Sequence, residues 1–123
     1  EQIDGLIQSW NKNENTTVFM NPPYSAGMVK KCCDKFFEAW RQKEIKAGII
    51  LVNNATETRW FQHLLSGANS ICFTNHRISF WNADGKVVSN NTRGQAFFYF
   101  GSEAILFSEY FRMHGYCLLL NND

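Results

Sequence analysis

Apolar and polar positions change period several times along the chain, and each change marks an element. Thr17-Val18-Phe19-Met20 is a short β-prone run halted by two prolines, which predicts a buried strand ending just before Asn21. Over residues 25–46 the period becomes helical: Met28, Cys32, Phe36, Ala39 and Trp40 form one stripe, with Lys31, Lys35, Glu38 and Gln42 away from it. Ser25 is the candidate N-cap and Gly48 the stop. Ile49-Ile50-Leu51-Val52 then reads as a fully buried strand, completing a strand, helix, strand unit of the kind that builds parallel sheets.

A second helix is expected over residues 59–65, capped by Thr56 or Thr58 and ended by Gly67, with Trp60, Phe61, Leu64 and Leu65 on its apolar face. Ser70-Ile71-Cys72-Phe73 follows as a strand. Arg77-Ile78-Ser79-Phe80-Trp81 alternates and leads into the turn signal Asn82-Ala83-Asp84-Gly85, then a polar loop over residues 89–94. Residues 95–100 form a strongly aromatic strand, residues 102–113 a helical stretch, and residues 116–120 a last apolar run after Gly115. The first 17 residues read as a short packed element and a loop. The expected fold is α/β, with a mostly parallel sheet and an antiparallel C-terminal portion.

Composition narrows the class. A chain of 123 residues, 45% of them apolar, can bury a core for one domain and not for two, so residues 1–123 are read as a single domain. Twelve basic against 11 acidic residues leave a net charge of +1, so any nucleic-acid contact must come from a local patch. The lysines of the first helix are interrupted by Asp34, Glu38 and Glu44, which predicts a solvated face and not a groove reader. Cys32, Cys33, Cys72 and Cys117 lack zinc-ligand spacing, so no metal is expected and the thiols are read as reduced. No run approaches a membrane span, which predicts a soluble, cytoplasmic protein.

Asn21-Pro22-Pro23-Tyr24 contains both prolines of the chain and follows a buried strand, the position at which an open α/β sheet presents its ligand crevice. Chance would produce this tetrad on the order of once in a few thousand chains of this length. A nucleobase amino group is a poor nucleophile because its lone pair is delocalised into the ring. An enzyme must hold both hydrogens on rigid acceptors to free that pair. The side-chain carbonyl of Asn21 and the backbone carbonyl of Pro22 can be those acceptors, two fixed φ angles keep the backbone rigid, and Tyr24 can stack on the base. A base inside a duplex cannot reach such a pocket, so the target must flip out of the stack.

At these residues the chain resembles the S-adenosylmethionine-dependent amino-methyltransferases, and more closely the phage and prophage DNA adenine methyltransferases of the Dam-like family. The likeness also covers Asp4-Gly5-Leu6 to Trp10, Ala55-Thr56-Glu57-Thr58-Arg59-Trp60-Phe61, and Ile71-Cys72-Phe73 to Arg77-Ile78-Ser79-Phe80, in the family's order. It departs from the pattern at Asn53-Asn54 and at His76. The resemblance implies a Rossmann-like methyltransferase fold, S-adenosylmethionine as cofactor, double-stranded DNA as partner, and Asn21, Pro22, Pro23 and Tyr24 as the catalytic residues.

Only 20 residues precede Asn21, so the glycine-rich cofactor loop expected before it is absent and the chain reads as the catalytic part of a methyltransferase domain. The candidate for a cofactor turn after the tetrad is Phe98-Tyr99-Phe100-Gly101-Ser102. Arg59 and Trp60, after a strand end, and His76 and Arg77, at a bend, are candidate DNA contacts, by phosphate pairing and stacking. The alternative is a non-catalytic DNA-binding or decoy module that keeps the substrate pocket without the cofactor half.

Overall fold

The computed structural model describes residues 17–22, 27–76 and 94–122. Its elements follow the order β1 (Thr17–Met20), α1 (Met28–Arg41), β2 (Ala47–Asn53), α2 (Arg59–Gly67), β3 (Ser70–Thr74), β4 (Gln95–Phe100), α3 (Ala104–Phe111) and β5 (Gly115–Leu119). The chain is therefore mixed α/β, with a five-stranded sheet in the order β1-β2-β4-β3-β5.

The pairing corrects the expectation of a mostly parallel sheet. β1 and β2 are parallel, as a strand, helix, strand unit requires, but β2–β4, β4–β3 and β3–β5 are all antiparallel. β1, β2 and β3 still point the same way. β4 runs against them because the chain returns after β3 and enters the gap between β2 and β3. Every residue of its sequence, Gln-Ala-Phe-Phe-Tyr-Phe, is buried. A strand with that many aromatic rings is stable only in the middle of the sheet, since burying each Phe is worth roughly 1.5–3 kcal/mol.

Two-residue alternation divides the core into two layers. Ile50, Val52, Ile71, Phe98 and Phe100 face α1 and α2, where they meet Cys32, Phe36, Phe61 and Leu64. Leu51, Cys72, Phe97 and Tyr99 face the other way and are covered by Phe107 of α3. Both Cys32 and Cys33 are buried, so the apolar stripe of α1 is broader than its periodicity suggested.

Glycine sets two boundaries differently from expectation. The N-cap of α1 is Gly27, with φ 75°, and Ser25 lies outside the described residues. α1 ends at Arg41, and Gly48 belongs to β2 instead of stopping the helix. A Cβ on Gly48 would sit 2.4 Å from Cζ of Phe36, so the missing side chain is what lets α1 lie close on the sheet. The alternating run that begins at Arg77 and the loop after it lie outside the described residues.

Candidate active site

Because β1, β2 and β3 are co-directional, all three end on one edge of the sheet, at Met20, Asn53 and Thr74, and β4 starts there at Gln95. This edge is cross-tied. The Asn54 N–H donates to the Gly94 carbonyl at 2.9 Å, joining the end of β2 to the approach to β4. The Thr74 hydroxyl donates to the Gln95 carbonyl at 3.0 Å, joining the end of β3 to β4. These ties fix the backbone of the strand ends from which the candidate residues project or follow, which favours a site needing fixed geometry.

Asn21 is the first residue beyond β1 and is exposed, whereas Pro22 beside it is buried. The proline is withdrawn from solvent while the residue before it stays open to it. An acceptor is thus presented on a backbone whose φ is fixed and which has no N–H at Pro22 to compete for it. Pro23 and Tyr24 lie outside the described residues.

Arg59 opens α2 directly after the cap residue Thr58, whose Oγ1 accepts from the Phe61 N–H at 3.2 Å and donates to the Ala55 carbonyl at 2.8 Å. That double bond pattern fixes where the helix begins and brings the exposed Arg59 to the same edge as Asn21. Trp60 is half-buried, packs against the main core and lies edge-to-face on Phe61, with ring centroids 6.0 Å apart. His76 is exposed just past β3, its Nδ1 2.7 Å from Asn75 Oδ1. Arg77 lies outside the described residues. Three strand spacings separate the ends of β1 and β3, about 14 Å, so Asn21 and His76 flank the edge and do not touch.

The structure adds a residue that the sequence did not suggest. Gln95 is 4% exposed, and among the described residues its Oε1 has no hydrogen-bond partner. It shares the Leu51 and Phe97 side of the sheet by alternation, at the edge where Asn21 stands. In the sequence it is a polar residue at a strand start. Only its unpaired burial marks it.

Gly101 stands at the opposite end. β4 runs away from the Asn21 edge, so Phe98-Tyr99-Phe100-Gly101-Ser102 finishes beside Ala47, where β2 begins. The Gly101 N–H is taken by Asn69 Oδ1 at 2.9 Å, and a Cβ there would lie 2.4 Å from the Tyr99 hydroxyl. Backbone donor and space are already used, and the segment is a sheet's length from Asn21. The cofactor-turn expectation for this stretch does not fit. A groove of about 320 Å³ between Ile49, Tyr99, Leu106 and Tyr110 lies at this far end as well, and belongs to α3 packing, not to the Asn21 edge.

Residues 1–110 match the family model described as DNA N-6-adenine-methyltransferase (Dam). The chain belongs to this Dam family. No curated protein and no solved structure matches it. The Dam match spans β1 to α3 and so includes every candidate residue at the Asn21 edge. Among the described residues of this Dam chain, no helix is long and apolar enough to cross a membrane. Nor does any cluster of three metal-ligating side chains occur among them.

Proposed function

We propose that this chain carries the catalytic edge of an enzyme that methylates the exocyclic amino group of adenine in double-stranded DNA, with the adenine turned out of the duplex. The observation that carries the reading is the contrast at the end of β1, an exposed Asn21 amide set on a buried Pro22, within the Dam family match.

Asn21 Oδ1 and the Pro22 carbonyl accept the two amino hydrogens, so the nitrogen lone pair is released from the ring and turned towards the methyl donor. Pro23 holds the turn, and Tyr24 stacks on the extruded base and offsets part of the few kcal/mol that unstacking costs. Gln95 Oε1 is a further acceptor for a base or backbone donor entering the edge. Arg59, His76 and Arg77 contact phosphates, and Trp60 stacks on the nucleic acid.

When bound, S-adenosylmethionine supplies an electrophilic methyl on a sulfonium. The Gly101 turn does not fit that group, and no described residue is assigned to hold it. The chain's own residues orient the amino nitrogen. No base is needed before attack, since the amino group becomes acidic only once methylated, and the proton it then loses is released to solvent, which reaches the exposed Asn21.

The test is product analysis: the chain, methyl-labelled S-adenosylmethionine and mixed-sequence duplex DNA are incubated, and the DNA is digested to nucleosides. The reading expects the label in N6-methyladenine. Label in methylcytosine would move the substrate, and DNA binding without label would favour a module that holds DNA but transfers nothing.

A further inference from the structure

Two cysteines distant in sequence stand opposite one another in the sheet: Cys72 of β3 is the register partner of Cys117 of β5. The ladder shows what kind of pair they form. The Asn75 N–H donates to the His114 carbonyl at 2.8 Å, and the Leu120 N–H to the Asn69 carbonyl at 3.0 Å. Hydrogen-bonded pairs therefore fall at Asn69, Ile71, Phe73 and Asn75, and Cys72–Cys117 is a non-hydrogen-bonded pair. In such pairs the Cα atoms lie about 4.5 Å apart with the side chains leaning together, within the roughly 4.4–6.8 Å over which a disulfide closes without moving backbone.

Both side chains lie on the α3 side of the sheet, where Cys117 packs against the cluster containing Cys72. Their accessibility differs in a useful way. Cys72 is fully buried, its Sγ 3.6 Å from the Phe111 carbonyl, while Cys117 is partly open to solvent. Burial, and then a hydrogen bond with Cys117, push the Cys72 thiol up to about 12, so it stays protonated at neutral pH.

We propose that Cys72 and Cys117 form a hydroperoxide-reactive dithiol that closes into an intrachain cross-strand disulfide. Cys117, the accessible member, attacks the peroxide as its thiolate. A sulfur–oxygen bond forms, the oxygen–oxygen bond breaks, and the hydroxide that leaves takes up the proton the Cys117 thiol gave up and departs as water. The Cys72 sulfur then attacks the sulfur of the Cys117 sulfenic acid. The sulfur–sulfur bond forms, the sulfur–oxygen bond breaks, and the Cys72 proton leaves with the hydroxide as a second water. Two thiols are oxidised by two electrons and one peroxide is reduced. The bond would fasten β5 to β3 and enclose the whole return of the chain through β4 and α3, a loop long enough for a cross-link to restrict the unfolded chain strongly.

The experiment treats the reduced chain with hydrogen peroxide, blocks remaining thiols under denaturing conditions so that buried Cys32 and Cys33 are reached, and maps peptides without reduction. The proposal expects a linked Cys72–Cys117 peptide pair and a mass loss of about 2 Da. Two of the four cysteines should stay alkylatable, dithiothreitol should restore the others, and the oxidised form should have the higher Tm. Cys72→Ala should leave a sulfenic acid at Cys117 that dimedone traps, and Cys117→Ala should leave Cys72 unmodified. Four thiols surviving peroxide, a Cys117–Cys117 link between chains, or a peptide map joining other cysteines would each overturn it. The map of the unsubstituted chain decides the matter even where a variant fails to fold.

Discussion

Gln95 opens β4 directly opposite Asn53, the last residue of β2, and so buries an amide at the edge of the sheet where Asn21 stands. An unpaired buried acceptor costs about 1–3 kcal/mol, and a fold keeps such a group where something else benefits. Gln95→Met retains shape and removes the acceptor. It is expected to raise stability by about 1 kcal/mol in urea unfolding while lowering methyl transfer at least about tenfold. A variant with unchanged transfer would take Gln95 out of the site.

Arg59 is exposed at the start of α2 and has the reach for phosphate. Arg59→Ala is expected to weaken duplex binding about equally for all sequences and to reduce the slope of log affinity against log salt by about 1. Titrations at several salt concentrations read this directly; a loss confined to one DNA sequence would point to a base contact instead.

Gly48 and Phe36 test how α1 is held on the sheet. The Phe36 ring is fully buried and lies edge-to-face on Phe100, with centroids 5.1 Å apart, so it has little room to yield to a new Cβ. Gly48→Ala should cost about 1–3 kcal/mol, and adding Phe36→Leu should recover part of that loss. Denaturant unfolding of the two singles and the double gives the coupling; strict additivity would mean the ring is free to move.

Burial, followed by the nearby Cys32 and Asp34, raises the Cys33 thiol from 9.0 to about 12. A pKa raised by folding contributes stability that is complete below the unfolded value and lost as pH climbs to the folded one. Stability should therefore fall between about pH 9 and pH 12. Cys33→Ala should flatten that part of the profile relative to its own neutral-pH value, and an identical slope would contradict the assignment.

Elements were legible in the sequence where one period ran long enough to be unambiguous. The aromatic strand over 95–100 and the Thr58 cap of α2 occur where patterning and hydrogen-bonding side chains predict them. Lateral strand order was not legible, because alternation says which face a residue takes and nothing about which strand lies beside it. The insertion of β4 between β2 and β3 is such a non-local choice. Gly48 misled for a related reason: a glycine needed for close approach of Phe36 looks in sequence like one that ends a helix. Asn21-Pro22 stands out in the sequence as a candidate because its chemistry is local, whereas Gln95 becomes a candidate only from its burial and from the lack of a partner for its Oε1 among the described residues.

The most direct measurement is single-turnover methyl transfer to adenine in duplex DNA by the unsubstituted chain and by Asn21→Ala, with DNA affinity measured alongside. Transfer by the former is expected, with a loss of about a hundred- to thousandfold in the variant and little change in affinity, as an Asn21 acceptor that acts on the amino group only during attack requires. Equal rates for the two proteins would contradict it, since the amino group would then be oriented by something other than the end of β1.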